Sequence, residues 1–149
     1  MPRDYRSSFS DTGSDTAEDE HVRKCRKLLR AFASSSPHIE GCALVSNDGF
    51  IIASVLNDSE VDEDRFGAMC ASLLSLATRA ASEIQRGDLR QIILDGSLGP
   101  MLLTRVNQSG QAGQTGQMGV LAVATSPQAN LGKVILDTRN AARALSELS

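Results

Sequence analysis

Between Val22 and Leu148 apolar residues fall in blocks of alternately helical and extended spacing. Val22, Cys25, Leu28, Leu29 and Phe32 recur at steps of three and four, the period of a helix with one buried face. Thr16 stands ahead of Glu18 and Asp19 as a cap for that helix, and residues 34–37 end it, because Pro37 disfavours helical backbone in the residue before it. Two β-prone runs, 41–46 and 50–56, flank Asn47-Asp48-Gly49 and predict a hairpin. Both runs are apolar at odd and even positions, so the sheet is expected to be covered on both faces. A long helix over 62–86, stopped by Gly87, precedes strands at 89–95, 100–106 and 118–125. A last helix opens at Ser126-Pro127, a cap followed by proline at the first helical position. Its apolar face is Leu131, Val134, Ile135, Thr138, Ala141, Ala142, Leu145 and Leu148. The order α-β-β-α-β-β-β-α predicts an α+β fold. It is a five-stranded, mainly antiparallel sheet with the central helix on one face and the terminal helices on the other.

The central helix departs from the usual pattern. On a wheel of about 100° per residue, Phe66, Met69, Cys70, Leu73, Leu74, Leu76, Ala77, Ala80, Ala81 and Ile84 form one broad side, expected to pack on the sheet. The opposite side carries Ala68, Ala71, Ser72, Ser75, Thr78, Arg79 and Ser82, and no charge occurs between Phe66 and Thr78. A solvated helix face is ordinarily charged. Small uncharged residues let another helix or a flat protein surface approach closely, so this face is expected to be an interface.

Composition narrows the classes of function. Apolar residues are 41% of the chain but aromatics 3%, so the core must be aliphatic. Of the net charge of −3, residues 1–20 contribute −4, which leaves a nearly neutral body and argues against nucleic acid as the ligand. Residues 1–16 are expected to be a disordered acidic tail and 17–149 a single domain. Cys25, Cys42 and Cys70 are read as reduced, mostly buried thiols. With no signal peptide and no apolar run near the roughly 20 residues that cross a bilayer, a cytoplasmic protein without membrane insertion is expected.

Catalytic and cofactor chemistry finds little support. Gly110, Gly113, Gly116 and Gly119 alternate with Gln111, Gln114 and Gln117 in what reads as a mobile hairpin loop, and Gly132-Lys133 is followed by Val134 where a P-loop needs Ser or Thr. His21 and His38 have no cysteine at ligand spacing and no placement as a general base, so neither metal, cofactor nor enzymatic activity is expected. Arg23, Lys24, Arg26, Lys27 and Arg30 read as the solvated face of the first helix.

The passages Gly41-Cys-Ala-Leu-Val-Ser-Asn-Asp-Gly-Phe-Ile-Ile-Ala, the long Ala/Leu/Ser helix, Met118-Gly-Val-Leu-Ala-Val-Ala and Ala129-Asn-Leu-Gly-Lys-Val-Ile stand in the order of a known domain. Over about residues 22–148 the chain resembles the roadblock/dynein light chain domain family, in particular its bacterial MglB-like regulators of small Ras-like GTPases. The linker 107–117 is longer and richer in Gly and Gln than the family's hairpin. The resemblance implies a homodimer, or a heterodimer with a related domain, joined edge to edge through 89–95 with the two central helices paired. It also implies a helical platform that receives the GTPase and promotes hydrolysis without an arginine finger. Ala68, Ala71, Ser72, Ser75, Thr78, Arg79, Ser82, Leu89, Gln91 and Ile93 become the candidate partner and dimer contacts. Arg79 and Arg105 are the arginines whose loss would test for a finger. A scaffold subunit without effect on hydrolysis and a small-ligand sensory module are the alternatives.

Overall fold

The computed structural model describes residues 13–56, 60–107 and 117–148. They form α1 (Gly13–Ser34), β1 (Ile39–Val45), β2 (Ile51–Leu56), α2 (Glu63–Glu83), β3 (Gln91–Gly96), β4 (Gly99–Asn107), β5 (Gln117–Thr125) and α3 (Leu131–Ser146). The sheet runs β2-β1-β5-β4-β3, with every neighbouring pair antiparallel. The expected α+β architecture holds, with α2 alone on one face and α1 and α3 together on the other. The Gly/Gln loop expected over 107–117 and the tail expected over 1–16 fall largely outside the described residues.

Local chemistry shifts three helix ends from where the pattern alone put them. α1 begins at Gly13, so Thr16 lies inside the helix and does not cap it. α2 is capped by Asp62, whose side chain accepts from the Arg65 N–H at 3.1 Å, and Glu63 and Asp64 complement the dipole of the first turn. It stops at Glu83, before the expected Gly87. Gln85 takes the left-handed conformation (φ 58°), and the Arg86 N–H returns to the Ala81 carbonyl at 2.8 Å. Ser126 and Pro127 do not open α3. They lie in a turn closed by Ala129 N–H to the Ser126 carbonyl, and Asn130 caps the helix by accepting from Lys133 N–H at 3.1 Å.

The double-sided core follows from the central strands. Ala43, Val45, Val120 and Ala122 point toward α2, where Leu103, Cys70 and Leu74 join them. Cys42, Leu44, Leu121 and Val123 point the other way, toward Cys25, Leu29 and Phe32 of α1 and Ala141, Ala142 and Leu145 of α3. Each fully buried Leu or Val here contributes about 1.5–3 kcal/mol relative to exposure. At one point α2 touches the hairpin with no side chain between them. A Cβ on Gly67 would overlap the Gly49 carbonyl oxygen, and Gly49 itself sits at φ 90°. That contact seats the first half of α2 on the β1–β2 turn.

All three cysteines are free and buried. Burial raises the Cys25 thiol and pushes Cys42 and Cys70 from the ordinary 9.0 up to about 11, while the Cys42 thiol donates to the Leu29 carbonyl at 3.7 Å. The folded chain should therefore resist a thiol reagent at neutral pH, and the denatured chain should react at all three positions. The folded form also keeps these protons longer than the unfolded one. Its stabilisation from them is complete below about pH 9 and is lost as pH rises toward 11. Fast labelling of the native protein, or a melting temperature flat across that interval, would contradict this burial.

Candidate functional site

α2 crosses the sheet obliquely. Near its start Ser54 of β2 donates to Glu63 at 3.0 Å, and near its end Arg105 of β4 donates to Thr78 at 3.2 Å. The helix touches this face along one stripe. Gly67, Cys70 and Leu74 are buried, and Phe66, Leu73, Ala77 and Ala81 are half-buried beside them. The broad apolar side expected to pack on the sheet is thus only partly used. Met69 remains 51% exposed, Leu76 63% and Ile84 63%, and Ala80 is exposed as well. The reason is geometric. A lone helix on a sheet can bury only a narrow stripe, whereas α1 and α3 cover the opposite face together.

The small-residue face separates into two groups. Ala68, Ser72, Ser75, Arg79 and Ser82 are exposed, as expected. Ala71 is half-buried close to Gly49, and Thr78 is half-buried, its hydroxyl donating to the Leu74 carbonyl at 2.7 Å while accepting from Arg105. These two are half-covered by contacts within the fold. Arg105 also reaches the Leu89 carbonyl at 3.4 Å, so its guanidinium is tied between β4, α2 and the loop before β3. Its Nε is buried without a partner among the described residues. The outer surface of α2 is therefore a mixture of small residues and exposed Met69, Leu76 and Ile84, with Arg79 its one charge among residues 66–82.

Among the described residues β3 is an edge strand, paired to β4 alone. Ile93 is 43% exposed, Leu94 37% and Leu98, in the following turn, 85%. Gln91 is half-buried and donates to the Thr104 hydroxyl at 2.9 Å. Leu89, placed on the edge by the sequence pattern, precedes the strand and packs toward α2. Edge strands are commonly guarded by charge, proline or bulges. From Gln91 to Leu94 this edge has none of them, and it pairs with β4 in unbroken register.

Among the described residues no cluster of His, Cys, Asp and Glu suits a metal. His21 Nε2 lies 3.6 Å from the buried Cys25 sulfur, whose raised pKa keeps it a thiol. His38 Nδ1 lies 3.0 Å from Ser126 Oγ, and the Ser126 N–H donates to the His38 carbonyl at 2.8 Å. This double contact pins the start of β1 to the turn before α3, a role that spacing in the sequence does not reveal. The five basic side chains of α1 are exposed, and Lys24 approaches Glu20 at 4.0 Å. No helix among the described residues is long and apolar enough to cross a membrane.

Residues 27–110, more than half of the chain, match the Roadblock/LC7 domain model. The chain belongs to the Roadblock/LC7 domain family. An uncharacterized protein of Methanocaldococcus jannaschii is 34% identical over 110 residues, which cover 74% of this roadblock chain and 87% of the relative. The fold is shared with a Roadblock/LC7 domain from Streptomyces avermitilis at 19% identity and TM-score 0.67, over 80% of this chain and 92% of that one. The gliding protein MglB of Thermus thermophilus has 14% identity and TM-score 0.72, over 86% and 90% of the respective chains. The roadblock fold extends past the matched segment, since β5 and α3 complete the sheet and its second face.

Proposed function

We propose that this roadblock domain is a dimeric regulator or adaptor of a small Ras-like GTPase and receives the GTPase on the outer face of α2. The observation that carries this reading is the exposure of Met69, Leu76 and Ile84 among Ala68, Ser72, Ser75 and Ser82, on a helix whose own core contacts are already complete. Such a face gains more from covering by protein than from water. The open β3 edge supplies a separate surface for a second copy, so dimerisation and partner binding need not compete for β3. The likeness in fold to MglB supports the same reading.

Arg105 is held by Thr78 and the Leu89 carbonyl and cannot reach outward as it stands, which leaves Arg79, and Arg65 in the first turn, as the exposed arginines of α2. Stimulation of hydrolysis would then come from ordering residues of the GTPase itself. Pull-down from native cytosol, with and without a non-hydrolysable GTP analogue, tests the class. Nucleotide-dependent capture of a small GTPase is expected, and its absence in both conditions would end the reading. In a reconstituted pair, Arg79→Ala and Arg105→Ala should leave any stimulation of hydrolysis within a few fold. A loss of 1,000-fold or more at unchanged binding, on the order of an arginine finger's contribution, would instead assign that role. Capture with no effect on the rate of hydrolysis would assign a scaffold.

A further inference from the structure

Beside the start of β3 lies a groove of about 720 Å³ whose lining includes Arg86, Asp88, Arg90, Gln91 and Arg139. Arg139 comes from α3, Gln91 is the first residue of β3, and the others come from the connection between α2 and β3. Among the described residues none of the three guanidiniums makes an ion pair or a hydrogen bond to a side chain. The groove thus gathers three unpaired positive charges against one carboxylate, next to an unpaired strand edge.

The hydrogen-bond pattern of β3 says what can reach the groove. The Arg105 N–H donates to the Arg90 carbonyl at 3.1 Å, so these two form a hydrogen-bonded pair. By alternation Ile92 and Leu94 also bond inward to β4, and the peptide groups of Gln91, Ile93 and Asp95 face outward. If a second copy joins this edge with both α2 helices on one side of the extended sheet, outward residues must meet outward residues. Three registers near the strand centre satisfy this, with Ile92, Ile93 or Leu94 opposite itself, and the one centred on Leu94 sets Ile93 against Asp95. With Ile92 opposite itself, Gln91 meets Ile93, Arg90 meets Leu94, and Asp95 falls opposite Leu89. With Ile93 opposite itself, Ile92 meets Leu94 and Gln91 meets Asp95. Of the three, only the register centred on Ile93 pairs apolar with apolar and amide with carboxylate. It also has a geometric consequence. Gln91, Ile93 and Asp95 share the sheet face covered by α3, as the Gln91–Thr104 hydrogen bond and the Ile93–Leu102 pairing show. A carboxylate opposite Gln91 is therefore delivered to the side of the groove that Arg139 lines.

We infer that the arginine-lined groove is the seat of Asp95 from a second copy of this chain, and that this contact, made twice across the twofold axis, sets β3 against β3 with Ile93 at the centre. The inference rests on the dimer contained in the proposed function and adds its register and its charge latch. Two arginines beyond the one that pairs directly keep the groove positive, which favours antiparallel docking and opposes any register that brings arginine onto arginine.

Single-cysteine substitution reads the register. Ile93→Cys should form an intersubunit disulfide on mild oxidation, because directly opposed hydrogen-bonded residues stand about 5.5 Å apart at Cα, within disulfide reach. Ile92→Cys should cross-link poorly, since its copies are then diagonal neighbours. The three native thiols are buried and give little background. Asp95→Arg should weaken the dimer about tenfold or more in sedimentation, and Asp95→Arg combined with Arg139→Asp should recover most of the loss. All these side chains are exposed or half-exposed, so the folded monomer should survive, with an unchanged circular dichroism spectrum. A wild-type chain that stays monomeric would overturn both this inference and the dimer it rests on. A dimer that cross-links through Ile92→Cys, ignores Asp95→Arg, or is not recovered by the charge exchange would overturn the inference and leave the dimer standing.

Discussion

Gly67→Ala should lower stability by about 2 kcal/mol, although alanine is the better helix former. In an exposed helix interior this change gains about 1 kcal/mol. Here the added methyl would overlap the Gly49 carbonyl oxygen, which is backbone and cannot rotate aside. Relief requires α2 to lift from the hairpin, and that loosens Cys70 and Leu74, which lie on the same buried stripe. Overpacking of this kind costs about 1–3 kcal/mol, and lost burial of Leu74 adds to it. The unfavourable effects together exceed the gain in propensity. For a chain of this size each kcal/mol moves the melting temperature by roughly 2–4 °C, so a fall of about 4–8 °C is expected in a thermal melt. Ala68→Gly, one residue further on and exposed, should cost about 1 kcal/mol from propensity alone. A Gly67→Ala melting temperature equal to or above the parent's would show that the hairpin does not fix the height of α2.

The same contact shows which parts of the fold the sequence could reveal. The doubly apolar runs of β1 and β5 announced a sheet covered on both faces, and Val45, Val120, Leu121 and Val123 are indeed fully buried. The period of α2 identifies the helix but does not fix its rotation about its own axis. A wheel treats all apolar residues as one side, so Met69, Leu76 and Ile84 were grouped with Cys70 and Leu74 although only the latter two are buried. Deciding between them needs the position of Gly49, a residue 18 places before Gly67. The half-burial of Thr78 is illegible in the sequence for a related reason. Its neighbour Arg105 is 27 residues away, and the hydrogen bond between them leaves no periodic trace. The boundaries of α2 and α3 moved because side-chain caps and a left-handed Gln85 overrode the usual glycine and proline signals. The exposure of Ala68, Ser72, Ser75 and Ser82 is legible in the sequence, because absence of charge over a whole segment does not depend on exact rotation.

Leu76→Glu should reduce affinity for the GTPase at least about 100-fold while leaving the fold intact. The side chain is 63% exposed, so the unbound chain loses little core, and a surface change of this kind lies within about 0.5 kcal/mol of neutral. On binding, the proposed platform would cover this position. A hot-spot side chain near the centre of an interface is worth about 2 kcal/mol, and Leu76 is expected to be one here. A carboxylate buried there without a partner adds a desolvation cost of at least 1–3 kcal/mol. The sum exceeds the roughly 2.7 kcal/mol that corresponds to 100-fold. Ser75→Arg probes the adjacent small-residue face by bulk and charge. It should weaken capture by about tenfold or more, because close approach needs a side chain of serine size. Titration calorimetry measures the affinities, and light scattering on the same samples follows the dimer. Light scattering also separates two uses of α2. Loss of mass together with affinity would place the helix in the contact between copies, whereas loss of affinity at constant mass would place it under the GTPase. If Leu76→Glu and Ser75→Arg both kept dimer and affinity unchanged, the outer face of α2 would be an ordinary surface and the platform reading would fail.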